Sequence, residues 1–420
     1  MVPNDWNDGR VGDLVSGLES GVSVNGEDRL LAKGEKGVLK VSAVSYGVFD
    51  ENAVKAVTSG EELKRAKTHP KKGQIIISRS NTEELVGASA YIESDFDSLF
   101  LPDKLWQTIP KPNSDMKWLS YVLASEHSRY TLSNLATGTS GSMKNITKGE
   151  LLGLKVSIPP LPEQRKIAEI LSIWDNAIAT TEKLIETSRQ QKKALMQQLL
   201  TGKKRLIDPE TGKAFEGQWA EGRVSDLLRV RKEKLVPTDE IPLFSLTIEK
   251  GVTPKSERYN REFLVKNSDE KKYKVVYPKD IVYNPANLRW GAINYSRESH
   301  AVVVSPIYEV LYVSDITQNS LEFIAQKLMS SSQINRFATM VEGTLMERKS
   351  VKIVPFLATK ITVPPTLSEQ QQIASALTAA DKAIEALQAK LAHFKREKKA
   401  LMQQLLTGKR RVKVAETESA

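Results

Sequence analysis

Two long stretches of the chain place their core-facing positions at an alternating four-three spacing. In the first these are Ile167, Leu171, Trp174, Ile178, Thr181, Ile185, Ser188, Lys192, Leu195 and Leu199. In the second they are Ile373, Leu377, Ala380, Ile384, Leu387, Leu391, Phe394, Lys398, Leu401 and Leu405. A mostly apolar seam of this period predicts helices that pack on other helices. Each would run about forty residues, roughly 60 Å. Pro162 suits a first helical turn, and Ser368 with Gln371 forms a capping box. Gly202 and Gly408 stand where helix C-termini favour glycine, with basic residues beside them. Lys192 and Lys398 share a seam position and are expected to snorkel to solvent.

The remaining pattern is mixed. "KVSAVSYG", "GQIIISRS" and "GASAYIE" read as strands, followed by a helix over Ser114 to Ala136. Later, "DIVYN", "GAINYS" and "AVVVSPIYEVLYV" read as strands, followed by a matching helix over Ile316 to Ala338. Polar loops containing glycine, "GTSGSMKN" and "VEGTLMERK", come after those helices.

The chain repeats itself. "KKALMQQLLTG" occurs at Lys192 to Gly202 and again, unchanged, at Lys398 to Gly408. Glu163 and Glu369, Gln164 and Gln370, Asp175 and Asp381, and the clusters Lys203-Lys204-Arg205 and Lys409-Arg410-Arg411 keep one common offset. "DWNDGRVGDLV" near the start resembles "QWAEGRVSDLL" at mid-chain. The unit is far longer than a solenoid period, so this is a tandem duplication with expected internal pseudo-two-fold symmetry. Such symmetry predicts that the two long helices pack antiparallel. The helical ends are nearly identical while the α/β parts have diverged, the mark of one scaffold carrying two different presenting surfaces.

Composition narrows the function. The net charge is +10 with a pI near 9.3, which favours a polyanionic partner. There is no cysteine, so disulfides, thiolate metal sites and cysteine nucleophiles are excluded. No secretory pattern opens the sequence, and no apolar run has the length of a membrane span. The expected location is cytoplasmic, without membrane contact. The four histidines are scattered, and neither a phosphate-cradling glycine loop nor a dinucleotide motif is present. "NPAN" (Asn284 to Asn287) lacks the second proline and the aromatic of an adenine methyltransferase motif and reads as a polar turn after a strand over Ile281 to Tyr283. The chain reads as a binding protein, with no catalytic residues. The competing readings are a coiled-coil scaffold for proteins and a free-standing DNA methyltransferase or nuclease.

The duplicated "PPLPEQ" and "PPTLSEQ" helices, each closing in "ALMQQLLTGK", resemble the conserved regions of the specificity subunits (HsdS) of type I restriction–modification systems. The segments between resemble that family's target-recognition domains. The resemblance covers essentially the full chain. It implies two α/β target-recognition domains separated by a long antiparallel two-helix coiled coil. The boundaries that follow are 1–157 for the first recognition domain, 158–206 for the central helix, 207–362 for the second domain, 363–412 for the C-terminal helix and 413–420 for a disordered tail. It further implies double-stranded DNA, two methyltransferase subunits (HsdM) and translocating endonuclease subunits (HsdR) as partners. No cofactor is expected in this chain, while S-adenosylmethionine, ATP and magnesium belong to those partners. A methylation-only or phage-defence system lacking the endonuclease is a lesser version of the same resemblance.

Within that resemblance, the DNA-binding candidates are loop residues just past strands. In the first domain they are Arg79, Ser80 and Asn81, with Thr139, Ser140, Ser142 and Lys144 on a second loop. In the second domain they are Asn284, Asn287, Arg289 and Trp290, with Thr344, Arg348 and Lys349. Amide and guanidinium groups suit bidentate contacts to adenine and guanine edges. Lys203, Lys204, Arg205, Lys409, Arg410 and Arg411 are candidates either for phosphate contact or for offsetting the helix dipole.

Overall fold

A computed structural model of the chain describes residues 3, 5–140, 143–248, 251–254, 271–342 and 349–414, with only the backbone of 139 and 140. The fold is mixed helix and strand, as the pattern predicts. It forms two compact units: Met1–Glu182 with Ala389–Ala420, and Lys183–Gln388.

In the first unit, Val15–Ser20, Leu105–Pro110, Ile75–Ser78 and Ser89–Tyr91 form an antiparallel four-stranded sheet in that order. The run "III" is apolar throughout because both faces of this strand are buried. Ile75 and Ile77 enter a core with Trp106, Trp118 and Leu119, and Ile76 enters a second core with Leu39 and Leu105. Asn7–Arg10 pairs antiparallel with Lys155–Ile158, which leads into the first long helix.

The second unit repeats the plan. Leu228–Val230, Glu309–Val313, Ile281–Tyr283 and Ile293–Tyr295 form its antiparallel sheet. Ile281 and Tyr283 face one core and Val282 another. Ala220–Arg223 pairs with Lys360–Val363 ahead of the second long helix.

The long helices are Leu161–Leu199 and Leu367–Leu405, 39 residues each. Within each unit their segments run antiparallel. In the first, Asp175 meets Lys398 and Glu182 meets Lys395, so one helix rises as the other descends. In the second, Lys192 meets Asp381. Every expected seam position is buried or partly buried. Gly202 and Gly408 adopt φ +71, the left-handed conformation that ends each helix and that glycine tolerates best.

Four details depart from expectation. The helix over Ser114 to Ala136 is two helices, Met116–Ala124 and Glu126–Leu135, because Ser125 turns extended and accepts a hydrogen bond from Ser128 N as a new N-cap. Its counterpart breaks likewise into Leu321–Leu328 and Ser331–Thr339, with extended Ser330 at the joint. The second long helix is capped by Thr366, whose hydroxyl accepts from Glu369 N, and not by Ser368. Lys192 and Lys398 do not snorkel: they form 2.5 Å ion pairs with Asp381 and Asp175. A carboxylate on the facing helix segment pairs with each ammonium in a partly exposed position. Among the described residues no helix is long and apolar enough to cross a membrane, and no group of three metal-ligating side chains gathers.

Candidate nucleic-acid interface

Each unit brings its described candidates together at the end of its central strand. In the first, Ile75–Ser78 runs through Arg79 into a short strand, Ser80–Asn81. That strand pairs with Met143–Asn145, which pairs in turn with Thr137–Ser140. Lys144 lies opposite Asn81, and Asn145 opposite Ser80. Two presumed loops are therefore one three-stranded sheet. Arg79 is its hinge: its N–H donates to Lys104 O and its carbonyl accepts from Ile146 N, both at 3.0 Å.

The side chains differ in what they have left to offer. Ser80 is buried, so its hydroxyl does not face outward. Asn81 is engaged internally: its amide donates to Ser78 Oγ at 3.3 Å and its carbonyl oxygen accepts from Thr82 N at 2.9 Å. Both were expected on a loop, and ladder pairing removes that freedom. Arg79 has a terminal nitrogen 3.9 Å from Asp103 and a buried Nε with no partner among the described residues. Among the described residues the Lys144 ammonium has a 3.5 Å contact to Gly138 O. Thr139 and Ser140 are placed by backbone alone, and Ser142 lies outside the described residues.

In the second unit the central strand Ile281–Tyr283 ends in the turn over 284–291. "NPAN" is the polar turn it was read to be. Asn284 Oδ1 accepts from Ala286 N at 3.1 Å, and Asn287 precedes the 3-10 turn Leu288–Trp290. Pro285 O accepts from Val351 N at 2.9 Å, which seats the segment after 348 against this turn. The tie repeats the Arg79–Ile146 bond of the first unit. Lys349 is half-buried there, while Thr344 and Arg348 lie outside the described residues. Arg289 stacks on the Trp290 ring, its Cζ 4.0 Å from the centroid.

The basic clusters at the helix ends divide. Lys203, Lys204, Lys409 and Arg410 are exposed. Arg205 and Arg411 are not free for phosphate, nor do they serve only to offset a helix dipole. Arg205 donates Nε and Nη2 to Glu369 at 2.5 and 2.7 Å. Arg411 donates the same atoms to Glu163 at 2.8 and 2.9 Å, and also holds Asp5. Both glutamates are buried. Sequence reasoning missed these latches, although glutamates and arginines repeated at one common offset were the available signal.

Further ties repeat. The Gln164 side chain accepts from Asp115 N and donates to Pro159 O, and Gln370 accepts from Ser320 N and donates to Pro364 O. These side chains fix each α/β part to a helix start. Tyr121 donates to Asp175 at 2.6 Å, and burial followed by that carboxylate holds its phenol well above the usual range.

The family model for the type I restriction modification DNA specificity domain matches twice, over residues 3–187 and 216–395. The MjaVIII type I restriction enzyme specificity subunit of Methanocaldococcus jannaschii is 24% identical over 98% of this chain and 94% of its own. A second protein of that organism, assigned as the MjaX specificity subunit, is 24% identical over 98% and 95%. The fold is also that of a solved type I restriction–modification S subunit from M. genitalium, with a TM-score of 0.61, 14% identity and coverage of 97% and 98% of the two chains. A chain from a structural study of type I complex assembly gives 0.55 and 16% over the same shares. The chain belongs to the type I restriction–modification DNA specificity family, the non-catalytic DNA-recognition subunits of those systems.

Proposed function

We propose that each α/β domain reads one half of a split, asymmetric DNA site, with 1–157 and 207–362 as the two reading domains. The paired helices set the length of the unread spacer, and their surfaces dock two adenine methyltransferase subunits. One observation carries this reading: the same ties, Glu–Arg, Asp–Lys and Gln–backbone, recur beneath two unlike presenting surfaces. A repeated scaffold suits a repeated partner. A three-stranded sheet in one unit and an Asn/Arg/Trp turn in the other suit different base sequences. Helix length is fixed by hydrogen bonding, so a helical spacer fixes half-site spacing.

In this reading S-adenosylmethionine belongs to the methyltransferase subunits, ATP and magnesium to endonuclease subunits where a system has them, and the complex works in the cytoplasm. The test is modification-detecting sequencing of the genome of a methylation-free host that expresses this chain with its adenine methyltransferase, against the same host without this chain. Methylated adenines in a split, asymmetric motif are expected only when the chain is present. Exchange of residues 207–362 for those of a relative should change one half of the motif and leave the other. Chain-independent methylation, or none from an assembled complex, would sink the proposal.

A further inference from the structure

We infer that Arg289, held over the Trp290 ring, reads a guanine in the half-site of the second recognition domain; this rests on the function proposed above. Among the described residues the Arg289 guanidinium has no hydrogen bond and no ion pair, and its Nε is buried without a partner. Its Cζ lies over the Trp290 ring, 4.0 Å from the centroid. Trp290 is itself 59% exposed, a large apolar surface left in water beside a cation. Arg79 of the first unit, by comparison, has the Asp103 carboxylate within 3.9 Å.

The platform is rigid. Asn284 N donates to Ala292 O at 2.9 Å, Trp290 N to Asn287 O at 2.9 Å and Gly291 N to Leu288 O at 2.8 Å. Leu288 is fully buried between Asn287 and Arg289, which pins the turn to the core. Gly291 sits at φ +90, closing the turn in a conformation that side chains resist. Stacking removes rotamer freedom from Arg289 before any ligand arrives, so little entropy remains to be lost on binding.

The chemistry selects the base. With Nε buried, the two terminal nitrogens form the open end of a planar two-donor fork. Guanine alone presents two acceptors, N7 and O6, on its major-groove edge. Adenine places a donor, N6, where the fork needs an acceptor. Phosphate would also accept the fork, but it does not require a guanidinium plane fixed in advance.

The test uses the full chain assembled with its adenine methyltransferase. In the sequencing assay, Arg289→Ala should relax one guanine position in the half-site that follows residues 207–362, lowering discrimination there about 5- to 150-fold. The other half should not change. Trp290→Ala should relax the same position less, and Trp290→Phe should restore it. With the unaltered complex, replacing that guanine by 7-deazaguanine, which lacks the N7 acceptor but keeps O6, should weaken binding, and Arg289→Ala should cost less on the substituted duplex than on the natural one. An unaltered complex indifferent to 7-deazaguanine at every guanine of that half-site, or a half-site with no guanine on either strand, would overturn the inference. A split, chain-dependent motif in the same experiment would still leave the proposed function standing.

Discussion

Arg411 closes a bidentate ion pair on the buried carboxylate of Glu163, 248 residues earlier in the chain, with contacts of 2.8 and 2.9 Å. Trp6 Nε1 donates to the same carboxylate at 2.9 Å. In the second unit Arg205 holds Glu369, but the counterpart of Trp6, Trp219, leaves its Nε1 buried and without a partner among the described residues. The two latches therefore differ in their reserves. Arg205→Ala leaves a buried carboxylate without its cation and should cost about 3–5 kcal/mol. Arg411→Ala should cost less, because Trp6 still donates. Urea unfolding of the two variants checks the order, and equal losses would show that the Trp6 bond contributes nothing.

The indoles give a second comparison. Trp6→Phe removes a hydrogen bond to a charged group and should destabilise by about 1.5–3 kcal/mol. Trp219→Phe removes an N–H that has no acceptor, so its loss should be smaller, although both rings are packed. Thermal unfolding of the pair decides this. A larger loss at Trp219 would contradict the described hydrogen bonding.

The two helix-ending glycines share φ +71 but not their surroundings. A Cβ at Gly202 would lie 3.2 Å from the Trp219 ring, a contact a small shift can relieve. At Gly408 it would lie 2.5 Å from Pro3 Cδ, closer than neighbouring carbons approach. Gly202→Ala should cost about 1–2 kcal/mol, the strain of an L residue in the left-handed region. Gly408→Ala should cost more, and it should increase proteolysis of the N-terminal segment that Gly408 touches.

Lys327 is buried, donating to Leu200 O and, at 2.9 Å, to Thr362 Oγ1, with the Trp219 ring 5.3 Å away. Burial first, then the Arg336 cation, lowers its pKa from 10.5 to about 8. Below about pH 8 both folded and unfolded chains hold the proton, so stability has no slope from this group. Between about 8 and 10.5 the unfolded chain holds a proton that the folded chain has shed, so rising pH favours the fold. The melting temperature of the natural protein, relative to Lys327→Met, should be level below pH 8 and climb above it. A level difference up to pH 10 would show that Lys327 titrates like an exposed lysine.

The amino-acid order alone settled the two long helices, their seam, their glycine ends and the tandem duplication, because periodicity and capping depend on residues within a turn or two of each other. It settled a strand within "GQIIISRS" for the same reason, while its burial on both faces came from the cores packed on either side. It also grouped Asn284, Asn287, Arg289 and Trp290 on one turn. Only the tertiary structure decided what those residues touch. Ser80 and Asn81 became a strand because a segment more than sixty residues later supplied the ladder, and Lys192 and Lys398 turned inward because carboxylates on the opposite helix awaited them. Arg205 and Arg411, equal to their lysine neighbours in charge and spacing, became latches because a buried glutamate lay within reach of a planar fork. Hydrogen bonds and ion pairs saturate within a few ångströms, so their partners are fixed by distances in space that no local pattern records.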